Sequence, residues 1–297
     1  RARSRGQTDR GCSATTCVPE VMDNARMRGA RLAMVVVVAL SASLHAQWLN
    51  YPTRGVPRTL DGKPDLSGPA PRAADGKPDL SGIWQLEPRP CEPSGCPADY
   101  APAAEFLNFG AKLLGGLPYQ PWAAEIVKQR AADDSRDDPH VRCLPDNPPR
   151  HWGLPHLNKI VHTPKLLVVL YEVNAMYRQI FTDGRPLPED PTPGWNGYST
   201  ARWESDTLVV QTIGFRDNLW IDLHGSPMSD AAKMTERLRR PNYGTLEVEI
   251  TVDDPKVYTR PWTVRMDRVI ELDTDLIDEF CLENEKSYER MQRSRGK

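Results

Sequence analysis

From residue 158 onward the chain alternates apolar and polar residues with a period of two, in short runs separated by Gly, Pro, Asn and Asp. A helix repeats every 3.6 residues, so this pattern suits strands that bury one face each. The runs fall near 158–163, 165–173, 176–182, 198–204, 207–213, 232–239, 245–252, 261–269 and 276–282, with one more at 82–87. About ten short strands at short spacing predict an antiparallel barrel or sandwich. The fold class expected is therefore mainly β: an antiparallel barrel of about 8–10 strands over residues 81–290, with a small helical insertion at 100–135.

Two hairpins predict their own register. Around Ser205-Asp206 a two-residue loop sets Trp203 opposite Leu208 and Ala201 opposite Val210. Across 240–244 a five-residue loop sets Leu238 opposite Leu246, Glu236 opposite Val248 and Arg237 opposite Glu247. Only this parity pairs apolar with apolar and Arg with Glu.

The helical insertion shows in two places. Residues 103–114 are rich in helix formers and close on Gly115-Gly116. Pro121 suits a first turn, with Trp122, Ile126 and Arg130 following at helical spacing. Asp133, Asp134, Asp137 and Asp138 then read as a solvated acidic end, since the glycine and spacing of a calcium loop are missing.

Ahead of the strands lies an address. A basic start at 27–31, an apolar run at 32–44 and Ala46 as a small residue at the cleavage point form the order of a secretory signal peptide. The run is too short to cross a bilayer, which takes roughly 20 apolar residues. Residues 1–26, ahead of Met27, read as upstream of the exported chain, and a secreted or periplasmic protein without a stable membrane span is expected. Net charge is −2, which excludes a strongly basic nucleic-acid binder. Residues 47–80 are Pro-rich and carry a duplication, Asp61-Gly-Lys-Pro-Asp-Leu-Ser-Gly68 and Asp75-Gly-Lys-Pro-Asp-Leu-Ser-Gly82. The first copy reads as a tether and the second as the way into the domain. Past residue 46 the cysteines are Cys91, Cys96, Cys143 and Cys281, which in an exported chain suggest two disulfides. A local Cys91–Cys96 clip and a Cys143–Cys281 bridge are the favoured pairing. Only Cys91 and Cys96 are close in sequence, so a zinc site is not expected.

Candidate chemistry is sparse. Glu236 falls on the inward face beside Met234, Leu238 and Val248, where a carboxylate needs a partner or an upward pKa shift. It reads either as a ligand contact or general acid/base, or as one half of a pair with an inward arginine such as Arg178 or Arg202. The long connection 214–230 holds Asp217, Trp220, Asp222 and His224. Loops of that length often bind ligands or act as lids. Asp222 and His224 could move a proton; equally, Trp220 and Ile221 could plug the barrel while Asp222 caps a turn. Gly-x-Ser-x-Gly, the Walker loop, Gly-x-Gly-x-x-Gly and His-Glu-x-x-His are all missing from the sequence, so no nucleotide, metal or cofactor is expected.

Gly82-Ile83-Trp84 on the first strand resembles the Gly-x-Trp signature of lipocalins. In that family the Trp closes one barrel end beneath an arginine from the last strands, a role that implies Arg265 or Arg268. A longer pattern is similar to a family of secreted bacterial proteins without an established activity. It runs through Pro78-Asp-Leu-Ser-Gly-Ile-Trp84, 178–188, Gly197-Tyr-Ser, Arg202-Trp-Glu, 206–210, Thr235-Glu-Arg and 253–262, and covers most of 75–286. That resemblance implies export and a calycin-like barrel. Its members carry histidines in the long loop where this chain has Ser226 and Met228, which speaks against histidine-based catalysis.

The function expected is an exported soluble protein that binds a small, largely apolar molecule inside the barrel, lined or closed by Arg178, Trp203, Trp220 and Glu236. An enzyme on the same scaffold (an isomerase, cyclase or hydrolase) would use Glu236 or Asp222 as acid/base with His224 assisting. A structural or partner-binding protein would use the 47–80 arm.

Overall fold

The structure, a computed structural model, describes residues 52–87, 108–111, 113–283 and 286–293. The signal segment, the Cys91–Cys96 clip and most of the helix expected at 103–114 lie outside these residues. The strands are β1 (Gly82–Leu86), β2 (Asn158–Thr163), β3 (Leu166–Tyr171), β4 (Tyr177–Phe181), β5 (Tyr198–Glu204), β6 (Thr207–Ile213), β7 (Leu219–Trp220), β8 (Pro227–Met228), β9 (Lys233–Arg239), β10 (Thr245–Asp253), β11 (Trp262–Arg265) and β12 (Arg268–Glu271). The helices are α1 (Pro121–Ala132), α2 (Pro148–Gly153) and α3 (Ser287–Arg293).

Nine strands close a ring in the order β10-β12-β1-β2-β3-β4-β5-β6-β9, with β9 pairing back to β10. The barrel is mostly antiparallel; β4 and β5 run parallel, joined through Ile180↔Ser199 and Phe181↔Thr200. The period of two does its work along the ring. In β10 buried and half-buried residues alternate, and Leu246, Val248, Ile250 and Val252 all face the core. β11 and β12 are one strand in effect. Glu249↔Arg265 and Thr245↔Val269 share a register against β10, and the break at Met266-Asp267 lets the second half turn to β1. The strand expected at 276–282 does not form. That segment crosses the barrel's outside as a strap, held by Lys159–Asp275, by the Ile277 amide on Glu172 and by a single bridge, Val173↔Glu279.

The Trp203–Leu208 hairpin has the expected register, with Ser205 taking φ 55° in the tight turn. The second hairpin keeps the expected parity but is shifted by two: Leu238 faces Val248, Glu236 faces Ile250 and Arg239 faces Glu247. The cause is the loop. The amides of Tyr243 and Gly244 donate to Gly68 and Leu66 carbonyls, and Thr245 and Leu246 pair with β12, so the first pairing with β9 waits until Glu247. Leu66 comes so close that a Cβ on Gly244 would lie 2.6 Å from the Leu66 Cβ.

The duplicated segment folds as the same turn twice. Arg58↔Pro64 and Arg72↔Pro78 form equivalent bridges, and each arginine donates to the glycine carbonyl of its own copy. Both copies are bonded to the barrel. The first reaches the 243–244 loop; the second holds Asp206 with Arg72 in a two-bond fork at 2.8 and 2.9 Å and then leads into β1.

Each barrel end is closed by a different element. At the end where β1 begins, Trp84 is fully buried, donates to the Leu80 carbonyl and lies 4.9 Å under the Arg240 guanidinium. The arginine above the first-strand Trp is thus Arg240, and not Arg265 or Arg268. Arg265 lies on the outer surface with Glu247 and Asp267, and Arg268 stacks over Trp152. At the opposite end α2, which immediately precedes β2, drops His151 and Trp152 into the lumen.

Candidate functional site

Strand direction gathers the inward polar residues at the α2 end. Asn158 opens β2, Tyr171 closes β3, Arg178 lies near the start of β4 and Arg268 opens β12. All four are buried, as are Ser199, Thr212 and Glu236 facing them from β5, β6 and β9. Alternation alone places them there: each sits in phase with the apolar residues of its strand, such as Ile180 in β4 and Leu238 in β9.

Arg178 and Glu236 form the centre. Arg178 Nη1 donates to Glu236 Oε1 at 2.8 Å and Nη2 donates to Oε2. The same guanidinium donates to the Ser199 and Thr212 hydroxyls, and Trp152 Nε1 donates to Glu236 Oε1 at 2.6 Å. Burial alone would lower the Arg178 pKa, but the Glu236 carboxylate outweighs it and the guanidinium titrates above its ordinary range. Glu236 is therefore fully engaged as a counter-charge, the pairing with Arg178 that was one of its two sequence readings. Arg202, the other arginine considered, is exposed and binds Glu204.

Beside this pair lies a second group with fewer partners. Arg268 is fully buried and gives Nη2 to the carbonyls of His151 and Trp152, while Nε and Nη1 have no hydrogen-bond partner among the described residues. Burial lowers its pKa to about 9. The His151 ring stacks on Tyr171 at 3.7 Å, and neither ring nitrogen has a partner among the described residues. Burial, with Arg178, Arg150 and Arg268 nearby, lowers the His151 pKa to about 3, so its imidazole is neutral. Burial raises the Tyr171 hydroxyl to about 12.

α2 is short, and its position comes from its ends. Asn147 caps it, accepting from the Arg150 amide and donating to the Trp220 carbonyl. Arg150 forks onto Asp138 at 2.9 and 2.8 Å and meets Asp146 at 3.0 Å. His140 Nδ1 lies 2.9 Å from Asp146, an interaction that raises the His140 pKa against the effect of burial. Cys143 and Cys281 form the expected disulfide, which ties this plug to the outer strap.

The long loop is organised around Asp222. Its carboxylate accepts from the amides of Phe109 and Ser226 and from the Ser226 hydroxyl, and burial raises its pKa. That is the turn-capping role, with His224 half-buried on the same turn. Trp220 is buried under Arg130, whose guanidinium lies 4.1 Å above the ring. Trp220, Arg130, Ile126 and Gln129 line an outer cleft of about 270 Å³ between α1 and the loop. Trp203 is half-buried at the far end of the barrel, 5.9 Å from the His162 ring. The structure therefore separates the sequence candidates: Arg178 and Glu236 meet in the lumen, Trp220, Asp222 and His224 belong to the loop outside it, and Trp203 lies at the opposite end. Sequence reasoning missed Trp152, His151 and Tyr171, and it placed Arg268 over the first-strand Trp instead of beside Trp152. For Tyr171 and Arg268 the signal was present, since each sits in phase with the apolar residues of its strand.

Among the described residues no three His, Cys, Asp or Glu side chains come together as metal ligands. Fold and site define a closed, nine-stranded mixed β-barrel with one polar end and a helical plug. No protein-family model matches the chain, and no curated protein matches it.

Proposed function

We propose that this protein binds a small, largely apolar molecule within its barrel, at the end closed by α2. The observation that carries this reading is the pair of buried groups beside the lumen, Arg268 and His151: Arg268 Nε and Nη1 and both His151 ring nitrogens lack a partner among the described residues. Buried polar atoms are almost always hydrogen-bonded, so such a group points to a partner that arrives from outside. Barrels of about this strand number are either filled by side chains or hold one small guest, and the reading takes the second case. Arg178 and Glu236 form the fixed polar wall, and Trp152 on the plug is the group that a guest would displace or stack against. Export fits the same reading: the 27–46 pattern is that of a signal peptide, and the Cys143–Cys281 disulfide suits an oxidising compartment.

The test is direct. Protein purified from an exporting host is denatured and its extract analysed by mass spectrometry, and the refolded protein is titrated with apolar compounds while tryptophan emission is followed. A saturable shift that disappears in Trp152→Phe supports lumenal binding. A shift that survives Trp152→Phe but disappears in Trp220→Phe would move the site to the outer cleft.

A further inference from the structure

The charges at the plugged end do not balance. Arg150 is matched by Asp138 and Asp146, and Arg178 by Glu236. Arg268 has carbonyl oxygens on one nitrogen and no carboxylate among the described residues, although Asp267 beside it in sequence is held by Arg265 on the other face. Removing a guanidinium from water without a counter-charge is strongly unfavourable, by far more than an exposed ion pair returns. Around it stand donors and a neutral ring: the Tyr171 hydroxyl, and His151, whose two nitrogens have no partner among the described residues. Among the described residues the buried acids are engaged elsewhere: Glu236 accepts from Arg178 and Trp152, Asp138 and Asp146 hold Arg150, Asp222 and Asp254 cap turns, and Asp267 holds Arg265.

We infer that the polar end of the lumen is an anion site, and that the ligand is an apolar molecule ending in one carboxylate, received by Arg268 Nε or Nη1 with Tyr171 and His151 alongside. This rests on the lumenal reading above and adds the charge of the guest. The carboxylate brings the missing negative charge and accepts the hydrogen bonds that Arg268 now lacks. Tyr171 donates its phenolic proton, which burial keeps in place at neutral pH. His151, neutral, donates from whichever ring nitrogen bears the proton. No covalent step is involved.

The experiment compares phenylalkanoic acids of graded chain length with the phenylalkanols of the same length, titrated into the full chain at neutral pH with tryptophan emission as the readout. The expected result is a preference for the acid of about tenfold or more, the scale of one charge-assisted hydrogen bond. Arg268→Met should abolish the preference while leaving alcohol binding in place. Tyr171→Phe, which keeps the ring that stacks on His151, should weaken the acid severalfold and leave the alcohol unchanged; this variant tests the site if Arg268→Met fails to fold. Acid and alcohol binding equally well to the wild-type chain would overturn the anion site and leave lumenal binding standing. Neither series binding at any length would overturn both.

Discussion

Trp152 Nε1 lies 2.6 Å from Glu236 Oε1, so a six-residue helix outside the sheet shares one carboxylate oxygen with Arg178 of β4. The plug and the barrel wall are thus one hydrogen-bonded unit. Glu236→Gln would leave the Arg178 guanidinium buried without its charge, a loss of about 3–5 kcal/mol by urea unfolding. The double variant Arg178→Met/Glu236→Leu should lose less than either single change. A double-variant loss equal to the sum of the two single losses would show that the two charges are not coupled.

His151 sets an acid limit on the fold. Its pKa is lowered to about 3 in the folded state from an ordinary 6.5, so between these values only the unfolded chain binds the proton. Stability from this group is present above pH 6.5 and falls as pH drops, by about 1.4 kcal/mol per unit. His151→Phe keeps a ring against Tyr171 and should flatten that slope between pH 6 and pH 4, as read from thermal unfolding across pH. A slope unchanged by the substitution would place the acid sensitivity elsewhere.

The Cys143–Cys281 disulfide closes a span of 138 residues. Loop-closure entropy gives such a link roughly 4–5 kcal/mol. Cys281→Ser should lower stability by that order. Because the link acts on the unfolded chain, the β6, β9 and β10 amides, which exchange through global unfolding, should accelerate to match. Unchanged protection there, with faster exchange confined to 275–281 and 139–153, would show that the link holds only the strap and the plug.

Gly197, just ahead of β5, has φ +61°, and a Cβ there would lie 2.6 Å from the Ile213 carbonyl oxygen. Strain and clash add, so Gly197→Ala should destabilise by about 2 kcal/mol or more. A near-neutral effect on the denaturation midpoint would mean that the 194–197 turn relaxes freely.

Period-two patterning makes most of the wall legible from sequence, because each strand buries one face only and a slip of one residue would turn Leu238 and Val248 outward. Slips of two leave the pattern intact, which is why the β9–β10 pairing depends on the distant contacts of Tyr243 and Gly244 with the first repeat. The strap at 276–282 alternates as a strand does, yet Ile277 and Phe280 are half-exposed and its fixings are side-chain and single-bridge contacts. α2 has no readable period at all: two prolines open it and its six residues are fixed by Asp138, Asp146 and Arg268 from elsewhere. The site was legible in half. Glu236 with Arg178 follows from parity, while His151 and Trp152 arrive from a segment whose placement is tertiary.

An odd ring of strands cannot alternate direction all the way round. Nine strands force one like-directed seam, and here it lies between β4 and β5, stitched by two residue pairs where β5 and β6 share seven. The connection 182–197 must travel back along the wall to make it, which explains its run of prolines. With β10–β12 this seam is one of the two lines of the ring joined by only two residue pairs, and the Arg178 side chain of β4 bonds across it to Ser199 of β5.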